Sequence, residues 1–429
     1  MLLGAAGAVI TPSLGTFLAG FGYRNHGAEG VLDDLEVRVL WFQSEEAPSQ
    51  AACIITADVI GFDNALASRL TEELSHTQSI SPSAVLLAAS HTHSGPQICA
   101  NMLGVGVLDP VVVDQVCKAI LRTAAEARRV LRPVRLYVGH SHLEGYAVNR
   151  RLIRDGRAVF APNPSGSRDD EVTVIACREE DNANVRAILF HYTCHPTTMG
   201  DYRITSDYPG AARRYIEGAL GTGAVAAFLP GCFGDVRPAC TYVGGKTFRS
   251  GVPEDVHEFG TALGETVMQV ISQRSLRSIT PALGGEKIEV SLPLVHRPNA
   301  EELQQKLTSE SPIQRAWARQ IIAAGDRSEP RLTLQRLDLG RELTFIALGG
   351  EVCSDYGRLI KRLGAARTVL PVGYSNGLTA YIPSARMFAE GGYEVDESTL
   401  YYGLPAPFSP EIESHIITSV KSLLSQTVS

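Results

Sequence analysis

A short aliphatic run, Ala84-Val85-Leu86-Leu87-Ala88-Ala89, halted by Ser90-His91-Thr92-His93-Ser94-Gly95-Pro96, constrains this chain more than any other feature. The run is too short for a helix and has no polar face, so it reads as a buried strand ended by Gly-Pro. Residues two apart on a strand share a side, so a strand continuing to His93 would present both imidazoles together at its C-terminal edge. That edge is where α/β proteins place ligands and metals. Imidazole is the commonest protein ligand for zinc and related ions, while the plainer alternative is that these histidines hydrogen-bond neighbouring loops.

The same pattern recurs. Apolar or alternating segments near 4–10, 31–42, 52–60, 134–140, 171–178, 186–192, 224–229, 285–293, 331–337 and 343–348 read as strands. Helical periodicity covers 62–75, 110–130, 209–219, 254–272, 299–324 and 409–425. Strands alternating with helices, without a repeat or a low-complexity linker, predict an α/β fold: a single domain, 1–429, of mixed β-sheets flanked by helices. Residues 241–253 read as a surface loop near the site and a candidate lid.

Charge and composition narrow the partners. With 39 Lys and Arg against 46 Asp and Glu and no long basic run, nucleic acid is not expected. No apolar stretch approaches the roughly 20 residues of a membrane helix, and the apolar N-terminus lacks a basic leader region, so a cytoplasmic protein without integral membrane association is expected. The eight cysteines are scattered, several in apolar runs and none as Cys-x-x-Cys, which reads as reduced, buried thiols. Oligomeric state is not readable from the sequence.

Three more strand-end motifs stand beside the His-x-His: Cys194-His195-Pro196, Gly349-Gly350-Glu351, and Asn376 to Tyr381. Together with Ile10-Thr11-Pro12, Gly20-Phe21-Gly22-Tyr23 and Asp33-Asp34-Leu35, this ordered set resembles the catalytic domain of the neutral/alkaline (non-lysosomal) ceramidase family. The resemblance runs over nearly the whole chain, without room for the C-terminal β-sandwich domain of classical members. It implies one Zn²⁺ per chain held by His91, His195, Glu351 and Tyr381. It also implies a substrate-side His93 that handles protons, and Arg150 and Tyr393 as groups that stabilise an oxyanion. Two imidazoles, a carboxylate and a phenolic oxygen suit zinc and leave room for water. Taken singly, Glu351 could instead cap the following helix and Tyr381 could be a core aromatic.

One turn departs from the family. Where the family carries Gly-Asp-Val-Ser-Pro-Asn, this chain reads Gly234-Asp235-Val236-Arg237-Pro238-Ala239, with Arg237 in the place of the serine. An arginine is no hydroxyl nucleophile, so a mechanism needing that serine is excluded and one using metal-activated water survives. Arg237 and Asp235 are the candidate substrate-binding residues. A guanidinium there favours an anionic substrate over a neutral diol, unless Arg237 pairs internally with Asp235 or Asp207. Asp235 also suits a turn-organising role behind a zinc-bound histidine, and Asp207 suits a helix cap. A cysteine nucleophile at Cys232 or Cys240 lacks an adjoining histidine in sequence.

The expected activity is therefore zinc-dependent hydrolysis of a linear N-acyl amide in a small-molecule substrate smaller or more anionic than ceramide. The alternatives are genuine ceramide hydrolysis, an ester, lactone or cyclic-amide substrate, a biosynthetic condensation, and a non-catalytic binding protein.

Overall fold

The structure is a computed structural model that describes every residue except 183, 222, 245–246, 273–275, 326–328, 365–366 and 427–429. Two β-sheets pack face to face and helices cover their outer faces. The larger sheet runs, in spatial order, Val225–Pro230, Val185–Tyr192, Glu171–Glu179, Arg132–His142, Leu2–Val9, Glu36–Gln43, Ala51–Ala57 and Val85–Ala89, with Arg277–Ile279 added against Arg132–His142. The smaller runs Pro281–Ser291, Arg331–Gly340, Leu343–Leu348 and Thr368–Val372.

Strand alternation explains the layers. Leu3, Leu40, Phe42, Leu86 and Leu189 point from the large sheet into one buried cluster with Leu337, Leu343, Phe345 and Leu370 of the small sheet. The opposite face of the large sheet sends Val37, Val39, Ile55 and Leu87 against the helices Asn64–Gln78 and Pro110–Arg129. Farther along, Val174, Ile188 and Phe190 meet Ile216, Phe259, Leu263 and Val267 of the helices Asp207–Leu220 and Pro253–Ser272. Each such side chain contributes about 1.5–3 kcal/mol on burial, so these layers dominate the fold's stability.

The parallel pairings position the site. Val85–Ala89 runs parallel to Ala51–Ala57, Val225–Pro230 to Val185–Tyr192, and Thr368–Val372 to Leu343–Leu348. The loop after Thr368–Val372 ties the sheets together: the Gly373 N–H donates to Pro230 O, Ala89 N–H to Tyr374 O and Asn376 N–H to Leu87 O. The C-terminal ends of strands from both sheets thus open into one place.

The order of the main elements agrees with the sequence reading, with several differences. The long helix expected over 299–324 is two, Ala300–Leu307 and Pro312–Ala324, because Pro312 starts a new helix and cannot continue an old one. The hairpin Ala147–Arg154 with Arg157–Asn163 was not anticipated. Its two-residue turn, Asp155-Gly156, has φ of 50° and 78°, the conformation that Asp-Gly favours. The helix Ser354–Leu363 and the strand Thr368–Val372 were likewise not anticipated.

Candidate metal centre and its surroundings

The strand before the His-x-His ends at Ala89 and does not reach His93. Ser90 N–H donates to Ala57 O and His91 N–H to Val59 O, and His91 itself takes φ of 67°. A left-handed residue breaks the two-residue alternation, so the two imidazoles meet through a turn rather than by emerging from one strand face. His91 shares positive φ with Tyr374, whose ring lies 4.2 Å from the His91 ring. Such backbone strain concentrates at functional sites.

Three of the four expected ligands are in contact. Glu351 Oε2 lies 3.1 Å from His195 Nε2 and 3.3 Å from His91 Nε2. The other nitrogens of both rings are committed: His91 Nδ1 donates to Ile60 O, and His195 Nδ1 to Phe233 O at 2.6 Å and Val236 O at 3.0 Å. A carbonyl only accepts, so each Nδ1 carries a proton, and a ring with that single proton has a bare Nε2. Two bare nitrogens facing a carboxylate oxygen are acceptors crowded on acceptors, an arrangement that wants a cation in their midst. The donor set, imidazole and carboxylate, suits zinc, and fixing each ligand ring through its far nitrogen is how metal-binding histidines are held.

Tyr381 belongs to the same corner. In the short parallel pair Glu351–Val352 with Tyr381–Ile382, Glu351 and Tyr381 are direct partners. The Tyr381 ring is 6.0 Å from that of Tyr402, whose hydroxyl donates to Glu351 Oε1. Burial raises the Tyr381 phenol well above the ordinary range, against the opposing charge of Arg150. Tyr402 was not singled out in the sequence, where nothing marked it as a partner of Glu351.

His93 lies as close as the ligands but is held differently. Its Nε2 is 3.3 Å from His91 Nε2, and among the described residues His91, His93 and His195 form the one group of three whose ligand atoms lie within 4.8 Å of one another. Its buried Nδ1 has no hydrogen-bond partner, so no backbone group fixes its tautomer. Desolvation, then His91 and His195, lowers its pKa well below the ordinary value. Gly20 (φ 89°) packs against this ring, where a Cβ would sit 2.3 Å from Nδ1.

Two adjacent arginines of the unanticipated hairpin, Arg150 and Arg151, share one buried carboxylate beside the centre. Arg150 donates through Nε to Glu394 Oε1 at 2.8 Å, while its buried Nη2 has no hydrogen-bond partner. Its guanidinium carbon is 5.3 Å from the ring centres of both Tyr381 and Tyr393. Arg151 Nη1 bonds the other Glu394 oxygen at 2.6 Å, so one buried carboxylate anchors the segment that carries Tyr393. Burial raises the Tyr393 phenol, which is therefore a hydrogen-bond donor at neutral pH.

The altered turn does two jobs. The Asp235 carboxylate is fully buried and already occupied: it accepts from Asn149 Nδ2 at 2.7 Å, Ser354 N–H at 2.7 Å and Ser354 Oγ at 3.0 Å. It sits behind His195, fixing the turn whose carbonyls orient that ring, and it is not in the mouth of the site. Arg237 points the other way and pairs with neither Asp235 nor Asp207. It donates to Thr197 Oγ1 and O, both at 3.3 Å, and its guanidinium carbon lies 4.7 Å from the Phe248 ring. Phe248 belongs to the hairpin Tyr242–Val243 with Thr247–Phe248, so the expected surface loop reaches the site; residues 245–246 lie outside the described residues.

Asp207 is the first residue of its helix rather than its cap. It takes φ of 59° and accepts from Thr198, Met199 and Tyr208 N–H, holding the loop after His195. All eight cysteines are free, and burial raises the Cys232 thiol and pushes Cys240 up to about 12, which disfavours a thiolate.

The sequence profile of neutral/alkaline non-lysosomal ceramidase, N-terminal, matches residues 1–255. The chain belongs to that family. As a ceramidase-family protein it is an amide hydrolase by descent. Its fold agrees with a solved ceramidase complexed with C2 at TM-score 0.77, and with neutral ceramidase from Pseudomonas aeruginosa at TM-score 0.75. Each match has 17% identity and covers 100% of this chain and 74% of the other. No curated protein sequence matches it. Among the described residues, no helix of this ceramidase relative is long and apolar enough to cross a membrane.

Proposed function

We propose that this protein is a zinc-dependent amidohydrolase that cleaves a linear N-acyl bond in a substrate smaller or more anionic than ceramide. The observation that carries the metal is the pair of bare Nε2 atoms, on His91 and His195, crowded against Glu351 Oε2. With Tyr381 beside Glu351, these four residues would hold one Zn²⁺. Bound there, the ion would polarise a carbonyl and lower the pKa of water toward about 7.

The protein's own groups supply the rest. His93, with an untied Nδ1 and a low pKa, is a base at neutral pH and can take a proton and return it to the leaving amine. The free Nη2 of Arg150 and the hydroxyl of Tyr393 are donors for the oxygen that gains charge as the amide carbonyl becomes tetrahedral. Glu394 holds Arg150 in that pose. No hydroxyl stands at position 237, so none of these steps runs through a serine there.

Metal analysis and amide turnover on single variants test this reading. His91→Ala is expected to lose stoichiometric zinc and activity together, whereas His93→Ala keeps zinc and loses rate. Wild-type protein without stoichiometric zinc, or a fully active His195→Ala, would sink the proposal; zinc loss in His93→Ala would move that residue into the ligand set.

A further inference from the structure

Arg237, half-buried on the strand Val236–Pro238, stands out among the cations near the centre. Arg150 and Arg151 share Glu394, and Arg213 is paired with Asp58. Arg24 is spent on the carbonyls of Ala19 and His93. Arg237 has only two long contacts, both to Thr197, and among the described residues no carboxylate lies within 4.0 Å of it. Desolvation, then repulsion from Arg150, lowers its pKa to about 10, so it stays charged at neutral pH without an ion partner. A guanidinium partly withdrawn from water without an ion partner carries a cost that a native site tolerates when a ligand supplies the missing anion.

The surroundings shape what that ligand can be. Phe248 and Phe160 flank the guanidinium with ring centres at 4.7 and 5.8 Å, orienting its plane, and Phe160 also lies 5.1 Å from Arg150. Phe160 is 48% exposed, so this corner opens to solvent. The backbone places Arg237 opposite Val148 and Val236 opposite Asn149, so Arg237 is two positions along the pairing from Arg150, whose N–H donates to Asp235 O. Arg237 carries a positive charge with no carboxylate partner among the described residues, matching a monoanion. A planar carboxylate meets a guanidinium through two parallel hydrogen bonds.

We propose that Arg237, with Thr197 and the Phe160–Phe248 pair, is a carboxylate-recognition subsite, and that the amides hydrolysed are carboxylate-bearing ones such as N-acyl amino acids. The inference rests on the amidohydrolase reading above. Such a subsite turns selectivity from a neutral headgroup to a charged one.

The zinc-loaded protein is assayed on N-acetyl amino acids, on the matching C-terminal amides, and on monoamides of dicarboxylic acids. The first and third sets place the carboxylate on the amine or the acyl half. Calorimetric binding of an N-acetyl amino acid and its neutral amide is measured alongside. Wild-type protein is expected to favour one carboxylate series over its neutral counterpart by about 10- to 100-fold in kcat/KM, the strength of a charge-assisted bidentate pair. In Arg237→Gln that ratio collapses toward one, chiefly through KM, and Arg237→Lys keeps part of it while guarding against a folding defect. Turnover of amides with no carboxylate preference, or an unchanged preference in Arg237→Gln, overturns the subsite and leaves the amidohydrolase reading standing. Carboxylate binding that depends on Arg237 without turnover of any amide has the reverse meaning: the subsite stands and the reaction assignment falls. Absence of both turnover and Arg237-dependent binding overturns both.

Discussion

Replacing Glu351 by Gln separates a metal centre from an ordinary buried ion pair. The swap keeps shape, and Gln can still accept from Tyr402, so the fold should persist. Without metal, the new amide N–H₂ can donate to the bare Nε2 of His195 or His91, now 3.1 and 3.3 Å from Glu351 Oε2, and convert acceptor crowding into a hydrogen bond. The metal-free variant is therefore expected to melt no lower than metal-free wild type. With zinc the order reverses. At a free zinc concentration of about 100 times Kd, wild type gains roughly 2.7 kcal/mol. For 429 residues at about 2.1 cal/mol/K each the unfolding entropy is ~0.9 kcal/mol/K, so zinc should raise Tm by about 3 °C. A variant that binds at least ~100-fold more weakly gains no more than ~0.4 kcal/mol, a shift under about 0.5 °C. Scanning calorimetry with chelator and with buffered zinc reads both halves. A wild-type Tm indifferent to zinc, an equal zinc shift in Glu351→Gln, or a metal-free variant well below wild type would refute the reasoning about the bare nitrogens.

Two further outcomes follow from buried charges away from the ligands. Glu394→Ala leaves the Arg150 and Arg151 guanidiniums without their shared carboxylate, which typically costs about 3–5 kcal/mol, or about 3–5 °C at this chain's size; chemical denaturation checks it, and a loss below ~1 kcal/mol would contradict the pairing. Burial pushes the carboxyls of Asp207 and Asp235 up to about 6, above the ordinary 3.8, so the folded state holds these protons more tightly than the unfolded one. Each group's contribution is full below pH ~4 and is lost as pH rises through about 6, by roughly 3 kcal/mol. In Asp207→Asn one of these two declines should vanish from the stability-versus-pH profile, and parallel profiles for the two proteins would reject the assignment.

Much of the fold was legible because burial writes itself into residue patterns. Ala84 to Ala89 and Leu343 to Leu348 are wholly apolar, and the structure buries them between layers. The hairpin Ala147–Arg154 with Arg157–Asn163 escaped because its strands carry arginines at 150, 151, 154 and 157, two of which are buried with help from Glu394, some 240 positions away. Its Asp155-Gly156 turn was the usable local signal. The split at Pro312 was legible too, but helical periodicity on either side outweighed one residue.

The site shows where such reading stops. His91, His195 and Glu351 each follow an apolar run, so their placement at strand ends could be inferred singly, yet their convergence depends on parallel pairings that no local pattern encodes. The family resemblance supplied that convergence. What it could not supply is direction. His91 turns through a left-handed backbone instead of riding a strand, and the turn of residues 234–239 sends Asp235 inward to Asn149 and Ser354 while Arg237 faces Phe248 and the mouth. Neighbours on a strand point to opposite sides, and Asp235 and Arg237 flank Val236 at the strand's start, where the regular alternation has not yet begun. Whether Arg237 would pair inward or look outward was therefore open until the carboxylate that could have quenched it was found occupied elsewhere. Because Asp235 is already saturated by three donors, the arginine's charge is left for whatever enters the site.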